Sequence, residues 1–218
     1  MVLTGAGRSF STSIDMKEGN ARVGERLFAD KSIEEMRQIM RHRPQQVILG
    51  IRNLEKPTIA MVNGLAIGDS FDWVLACDIR VGSERARFMN GFTITGLFPN
   101  TGSTWFFPRM MPLSRAFELL YTGEWMEAEE AHKWGILNHL VPEDKLKEET
   151  MALAQKIAQG PPASIRMIKL HAYRGLEVGL SIAMELAADG EALMMSTDDH
   201  IEGVSAMLEK RPPKFTGK

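Results

Sequence analysis

The chain has 218 residues, a single cysteine, Cys77, and only two tyrosines. One cysteine excludes an internal disulfide and fits a reducing compartment, so a cytoplasmic location is expected. No apolar run approaches the roughly 18 residues that a membrane span needs. The opening Met1-Val2-Leu3-Thr4-Gly5 has no basic region ahead of an apolar stretch, so no secretory leader is expected there. Net charge is −2. That balance supplies no electrostatic footprint for nucleic acid or a membrane surface, and neither is expected as a partner.

Several chemistries are missing as well. The five histidines, His42, His132, His139, His171 and His200, form no pair at helical i, i+4 spacing, and no second cysteine is present. No metal site is expected. There is no G-x-S-x-G nucleophile turn and no Walker loop. Gly5-Ala6-Gly7 lacks the remaining glycine of a dinucleotide fingerprint. What is present is ordinary for a globular protein, with 44% hydrophobic and 25% charged residues. The length suffices for one large domain or two small ones. Fifteen methionines are many, and core filling accounts for most of them.

Val2-Leu3-Thr4 reads as a strand running into Gly5-Ala6-Gly7, and residues 8–20 as polar and turn-rich. Ser32 with Glu35 has the spacing of a capping box. Ile33, Met36, Ile39 and Met40 then share one helical face. Pro44 kinks that helix or starts another that runs to Leu54. Thr58 to Val62 is a short, continuously apolar run, the mark of a buried strand. Ala66 to Cys77 reads as a helix, and Ile79 to Gly82 and Arg87 to Met89 as short strands. After a Gly/Pro/Asn-rich loop, "GFTITGLFPNTGST", nearly everything reads as helical: 105–111, 113–121, 127–134, 143–159, 163–175, 177–195 and 199–209. Lys210-Arg211-Pro212-Pro213-Lys214 reads as a solvated terminus.

Two junctions run from a buried strand through small residues towards a helix start, Leu3 to Ser11 and Met61 to Gly68. Unpaired peptide N–H groups point outward at such places. Two junctions brought together aim two donors at one oxygen, which is the physical content of an oxyanion hole. Two acids, Asp69 and Asp72, sit three residues apart beside the second junction.

These stretches carry a family resemblance. "LTGAGRSFSTSIDMKE" resembles the first oxyanion segment of the crotonase (enoyl-CoA hydratase/isomerase) superfamily. "KPTIAMVNGLAIGDSFDWVLACDIRVGSERARF" resembles its second. "GLFPNTGSTWFFPRMM", "LLYTGEWMEAEEAHKWGILNHLVPEDKL" and "STDDHIEGVSAMLEKRPPKF" resemble the segments that follow, so the likeness covers essentially the whole chain. It implies an α/β fold with a crotonase-type ββα spiral core at residues 1–112 and a C-terminal helical trimerisation region at 113–218. It also implies that an opening β-rich segment normally precedes the strand at which this sequence begins.

The resemblance implies an acyl-CoA substrate and no separate cofactor. It places the two oxyanion donors at the backbone N–H groups of Ile14 and Asp69. Ile14, Asp15, Met16 and Lys17 would line the coenzyme A path together with Gly68, Phe92 and Asn100. The usual Gly-Gly-Gly has become Gly68-Asp69-Ser70, and Ser13 stands where a glycine is usual. Of the two glutamates that hydratases of the family use, the first falls at Asp72 and the second at Phe92, which transfers no proton. Asn100, Thr101 and Ser103 are candidate hydrogen-bonding residues, and Asn90 is a further polar candidate.

The leading expectation is therefore an enoyl-CoA hydratase/isomerase-like enzyme with isomerisation favoured over two-glutamate hydration and Asp72 as the proton carrier. The alternatives are a divergent hydrolase of C–C or thioester bonds and an acyl-CoA binder with little catalysis. A homotrimer or hexamer is implied. Ile182, Leu186 and Leu193 serve either intersubunit packing or the chain's own core.

Overall fold

The computed structural model describes residues 1–14 and 30–218. The chain divides into two compact units. One comprises Val2–Asn53 with Thr58–Thr150, and the other Met1, Leu54–Pro57 and Met151–Lys218.

The larger unit contains strands β1 (Val2–Thr4) and β2 (Ser9–Ser11) and helices α1 (Ile33–His42) and α2 (Pro44–Asn53). Strands β3 (Ile59–Val62) and β4 (Leu65–Ile67), helix α3 (Asp69–Ala76), and strands β5 (Ile79–Ser83) and β6 (Arg87–Met89) follow. Then come α4 (Ser103–Met110), α5 (Leu113–Thr122), β7 (Trp125–Glu127), α6 (Ala128–Lys133), β8 (His139–Val141) and the start of α7 (Leu146–Ala158). The strands form two four-stranded sheets, β1-β3-β5-β8 and β2-β4-β6-β7. All pairs are parallel except β6 with β7. From β1 to β6, successive strands thus alternate between the sheets, which is the winding of a ββα spiral.

Local chemistry sets this path. Ser32 and Glu35 do form a reciprocal capping box on α1, and Pro44 opens α2. Asn63, at the β3–β4 turn, donates from Nδ2 to the carbonyls of Gly5, Gly7 and Ser9 at 3.2, 2.8 and 3.3 Å. Its Oδ1 accepts from the Gly5 N–H at 3.3 Å, so one side chain ties the first strand turn to the second. Thr58 and Asp78 exchange two hydrogen bonds, of 2.7 and 2.9 Å, across the loop after α3. Buried Arg80 donates to the carbonyls of Ile136 and Cys77, joining β5 to the segment before β8.

Several expectations need correcting. The stretch expected as one helix, Ala66 to Cys77, is β4 followed by α3. Its small apolar residues suit either state, and pairing of Leu65, Ala66 and Ile67 with β6 decides for strand. The first junction leads into β2, not towards a helix. Strands β7 and β8 are absent from the expectations and, Glu127 apart, fall in the gaps between the expected helices 113–121, 127–134 and 143–159. Each is only three residues long and is defined by pairing with β6 or β5.

The smaller unit is helical: the rest of α7, α8 (Pro162–Gly175), α9 (Leu180–Met195) and α10 (Asp198–Leu208). Its tail is not a free terminus. Glu202 takes a two-pronged ion pair from Arg211, at 2.6 and 2.9 Å, and the Lys214 N–H at 2.7 Å. Arg211 and Lys214 hold the Glu202 carboxyl down to about 2. Asp199 accepts from the N–H groups of Thr216 and Gly217 at 2.7 and 2.9 Å. On α9, Ile182 and Leu193 are exposed and Leu186 is half-buried. No helix among the described residues is long and apolar enough to cross a membrane.

Candidate active site

The second junction and α3 form the centre of the larger unit. Every residue of α3 except Trp73 is buried. Behind it, Phe71 packs on Phe88 and Phe107 with ring centroids 4.9 and 5.2 Å away. Phe88 is therefore core, while Phe98 is exposed.

Gly68 precedes α3 with φ +58° and ψ −127°, a combination that favours glycine. Its N–H donates to the Met89 carbonyl at 2.9 Å. A Cβ there would lie 3.5 Å from Ser13 Cβ and Oγ and 3.8 Å from the Asn90 carbonyl, so two separate segments converge on it. Ser13 itself has φ +68°. The Ser70 hydroxyl lies 2.7 Å from both the Ser11 and Ile67 carbonyls and accepts from the Ile67 N–H at 2.9 Å. It pins the end of β2 against the start of α3. The two residues expected to supply oxyanion donors, Ile14 and Asp69, thus follow two segments held side by side. Ile14 is 60% exposed. Asp69 is the first residue of α3, where the backbone N–H has no partner within the helix.

Asp72 has no exposed surface. Its Oδ1 accepts from the Ser103 hydroxyl at 2.6 Å. Its Oδ2 accepts from the Thr101 hydroxyl at 2.6 Å and the Ser103 N–H at 3.1 Å. Burial pushes its carboxyl up to about 6 against the opposing effect of these donors, and the neighbouring Asp69 adds to the rise. Asp69 Oδ1 lies 3.1 Å from the same Thr101 hydroxyl. Burial raises Asp69 too, opposed by Thr101 and Ser13. Asn90 donates from Nδ2 to the Ser103 hydroxyl at 2.6 Å, while its Oδ1 is buried with no partner among the described residues.

The remaining expected site residues are dispersed. Phe92 is half-buried and caps the 3-10 turn Thr93–Thr95. Asn100 turns to the first two helices, donating to Met40 Sδ at 3.1 Å and accepting on its carbonyl from Gln45 at 3.0 Å. Asp15, Met16 and Lys17 lie outside the described residues. In the sequence Thr101 and Ser103 are general hydrogen-bonding candidates, and only the fold joins them to Asp72. The only signal was a polar Asn-Thr-Gly-Ser run in an otherwise apolar loop.

A spiral core with a buried carboxylate at this junction defines a class of protein, and comparison with known proteins gives it the same name. The family model for enoyl-CoA hydratase/isomerase matches residues 1–218. A probable enoyl-CoA hydratase of Rhodobacter capsulatus is 34% identical over 218 residues, all of this chain and 81% of that protein. The 1,2-epoxyphenylacetyl-CoA isomerase of Escherichia coli is 34% identical over 220 residues, again all of this chain and 81% of that protein. Among solved structures, a putative enoyl-CoA hydratase from Streptomyces coelicolor superposes with a TM-score of 0.91 at 32% identity, over 100% of this chain and 77% of that one. The chain belongs to the enoyl-CoA hydratase/isomerase family, is an enzyme of that family and has the crotonase fold.

Proposed function

We propose that the protein is an acyl-CoA enzyme that moves a double bond through a thioester enolate, with isomerisation favoured over hydration. The observation that carries this reading is the setting of Asp72: one buried carboxylate, raised towards neutrality and oriented by Thr101 and Ser103, with Phe92 where a second acid would be needed. The backbone N–H groups of Ile14 and Asp69 polarise the thioester carbonyl. The α C–H bond breaks, its proton passes to a carboxylate, and the electron pair delocalises into the enolate. Return of that proton to the γ-carbon completes the shift with no net gain or loss of atoms. One group near neutral pH suits both halves of this exchange. Hydration needs a water activated and a proton delivered in concert, and Phe92 supplies neither.

Assay against 2-enoyl-, 3-enoyl- and dienoyl-CoA thioesters tests this. Double-bond migration is expected to exceed water addition. A clean 3-hydroxyacyl product with no isomer would overturn it. The complete burial of Asp72 favours a second reading, an acyl-CoA binder with little catalysis. Calorimetric binding without turnover on that panel would select it. Assembly as a homotrimer or hexamer is part of the same proposal, supported by the exposed Ile182 and Leu193, and light scattering in solution tests it.

A further inference from the structure

We infer that Asp69, Thr101 and Asp72 form a proton relay, in which the Asp69 carboxyl is the end that meets the substrate and Asp72 the buried store. The inference rests on the isomerase reading but concerns how the proton reaches a carboxylate with no exposed surface.

Asn90 Nδ2 donates to the Ser103 hydroxyl, so the one Ser103 hydroxyl proton is free to point only at Asp72 Oδ1. The Ser103 N–H and the Thr101 hydroxyl both reach Asp72 Oδ2. Thr101 has one hydroxyl proton but touches two carboxylates, at 2.6 Å from Asp72 and 3.1 Å from Asp69. With both acids ionised, one of those contacts would set a bare oxygen against another in a buried place. One added proton on the pair removes the conflict in either of two ways. It sits on Asp69 and is donated to Thr101, which donates to Asp72, or the order is reversed.

The two arrangements differ by two hops. A carboxyl O–H breaks as a hydroxyl O–H forms at Thr101, and the former hydroxyl O–H breaks as the opposite carboxyl O–H forms. Nothing else changes. No cation opposes this among the described residues: the groups acting on Asp72 are Ser103, Thr101 and Asp69, and those on Asp69 are Thr101 and Ser13. The direction follows from placement. Asp69 retains 6% exposure against none for Asp72. Its own N–H is one of the two candidate oxyanion donors, so the same residue stands beside the thioester carbonyl in the proposed function. Thr101 is then a positioning residue, and Asp69 is the catalytic one.

Titration of the free protein labelled with carbon-13 at the aspartate carboxyls tests the relay without any substrate. Asp69→Asn and Asp72→Asn assign the two signals. Both carbons are expected to report the same two steps, because each proton is distributed over both sites. In Thr101→Val each carbon is expected to report mainly one step of its own, and Thr101→Ser restores the shared profile. Separate single steps in the unaltered protein overturn the inference. So does an unchanged two-step profile in Thr101→Val, which would mean coupling through space alone. If Thr101→Val does not fold, Thr101→Ala replaces it, and the profile of the unaltered protein still decides. Where isomerase turnover is measurable, Thr101→Val should lower kcat at least tenfold and leave KM within about twofold. A shared titration with no isomerase turnover leaves the relay standing and removes the functional reading.

Discussion

The Ser103 hydroxyl lies 2.6 Å from Asp72 Oδ1, and the Ser103 backbone N–H 3.1 Å from Oδ2, so one residue grips both oxygens of the buried carboxylate. The first of these bonds is removable without touching the second. Ser103→Ala deletes a donor to the charged form, so the Asp72 carboxyl should rise above about 6. It also strands the Asn90 amide, now without its acceptor. We expect the acid limb of the kcat/KM profile to move to higher pH and stability to fall by about 1–2 kcal/mol. A pH–rate series and a urea titration check the two effects separately.

Asp72 also ties stability to pH. Its carboxyl is raised in the fold, from 3.8 to about 6, so the folded chain holds that proton more tightly than the unfolded chain does. Its contribution is present in full below the unfolded value and is lost as pH rises through about 6. The sum lost across that window is on the order of 3 kcal/mol. Glu202 acts oppositely and lower down: its depressed carboxyl adds stability as pH rises from about 2 towards 4.5. Subtracting the stability curve of Asp72→Asn from that of the unaltered protein cancels the Glu202 effect. The difference should fall steadily between pH 4 and pH 6 and be flat above pH 7. Denaturant titrations at five pH values measure it.

The parts of the fold legible in the sequence are those set by local chemistry. Ser32 and Glu35 mark a helix start because the capping box is made within four residues, and Pro44 opens α2 because its fixed φ suits a first turn. Parts set by distant partners were not legible. Leu65-Ala66-Ile67 becomes β4 only because β2 and β6 flank it. The same holds for the site. Gly68, with its positive φ, and the acids Asp69 and Asp72 stand out in one short stretch. Their link through Thr101 spans 29 and 32 residues, and no periodicity relates such positions.

Phe92 offers a test by addition. It is half-buried at the start of a 3-10 turn, its carbonyl accepting from Thr95 and Leu97 at 3.1 and 2.9 Å, so its backbone is fixed independently of the side chain. The family resemblance puts the second hydratase glutamate at this position. Phe92→Glu should raise the ratio of hydrated to isomerised product about a hundredfold or more, the lower end for a positioned acid–base group. Product chromatography from a 2-enoyl-CoA substrate reads the ratio directly. An unchanged ratio with intact folding would mean that position 92 does not reach the reacting carbons.

Gly64 controls how β2 lies against β4. A Cβ on Gly64 would sit 2.2 Å from the Arg8 carbonyl oxygen and 3.1 Å from its carbon, and both are backbone atoms that no rotamer change can clear. Gly64→Ala must therefore push the segment entering β2 away from β4, and with it the Ser11 carbonyl that Ser70 holds. We expect a loss of about 1–3 kcal/mol from the forced shift. Gly50 provides the contrast. It lies within α2, and a Cβ there meets nothing within 4 Å. Gly50→Ala should stabilise the chain by about 0.5–1 kcal/mol, because the unfolded chain loses backbone freedom and the helix gains a better former. The two substitutions add the same methyl group, so opposite shifts of the urea midpoint at unchanged slope would isolate packing at the β2–β4 seam as the cause. Shifts of the same sign would place the cause elsewhere.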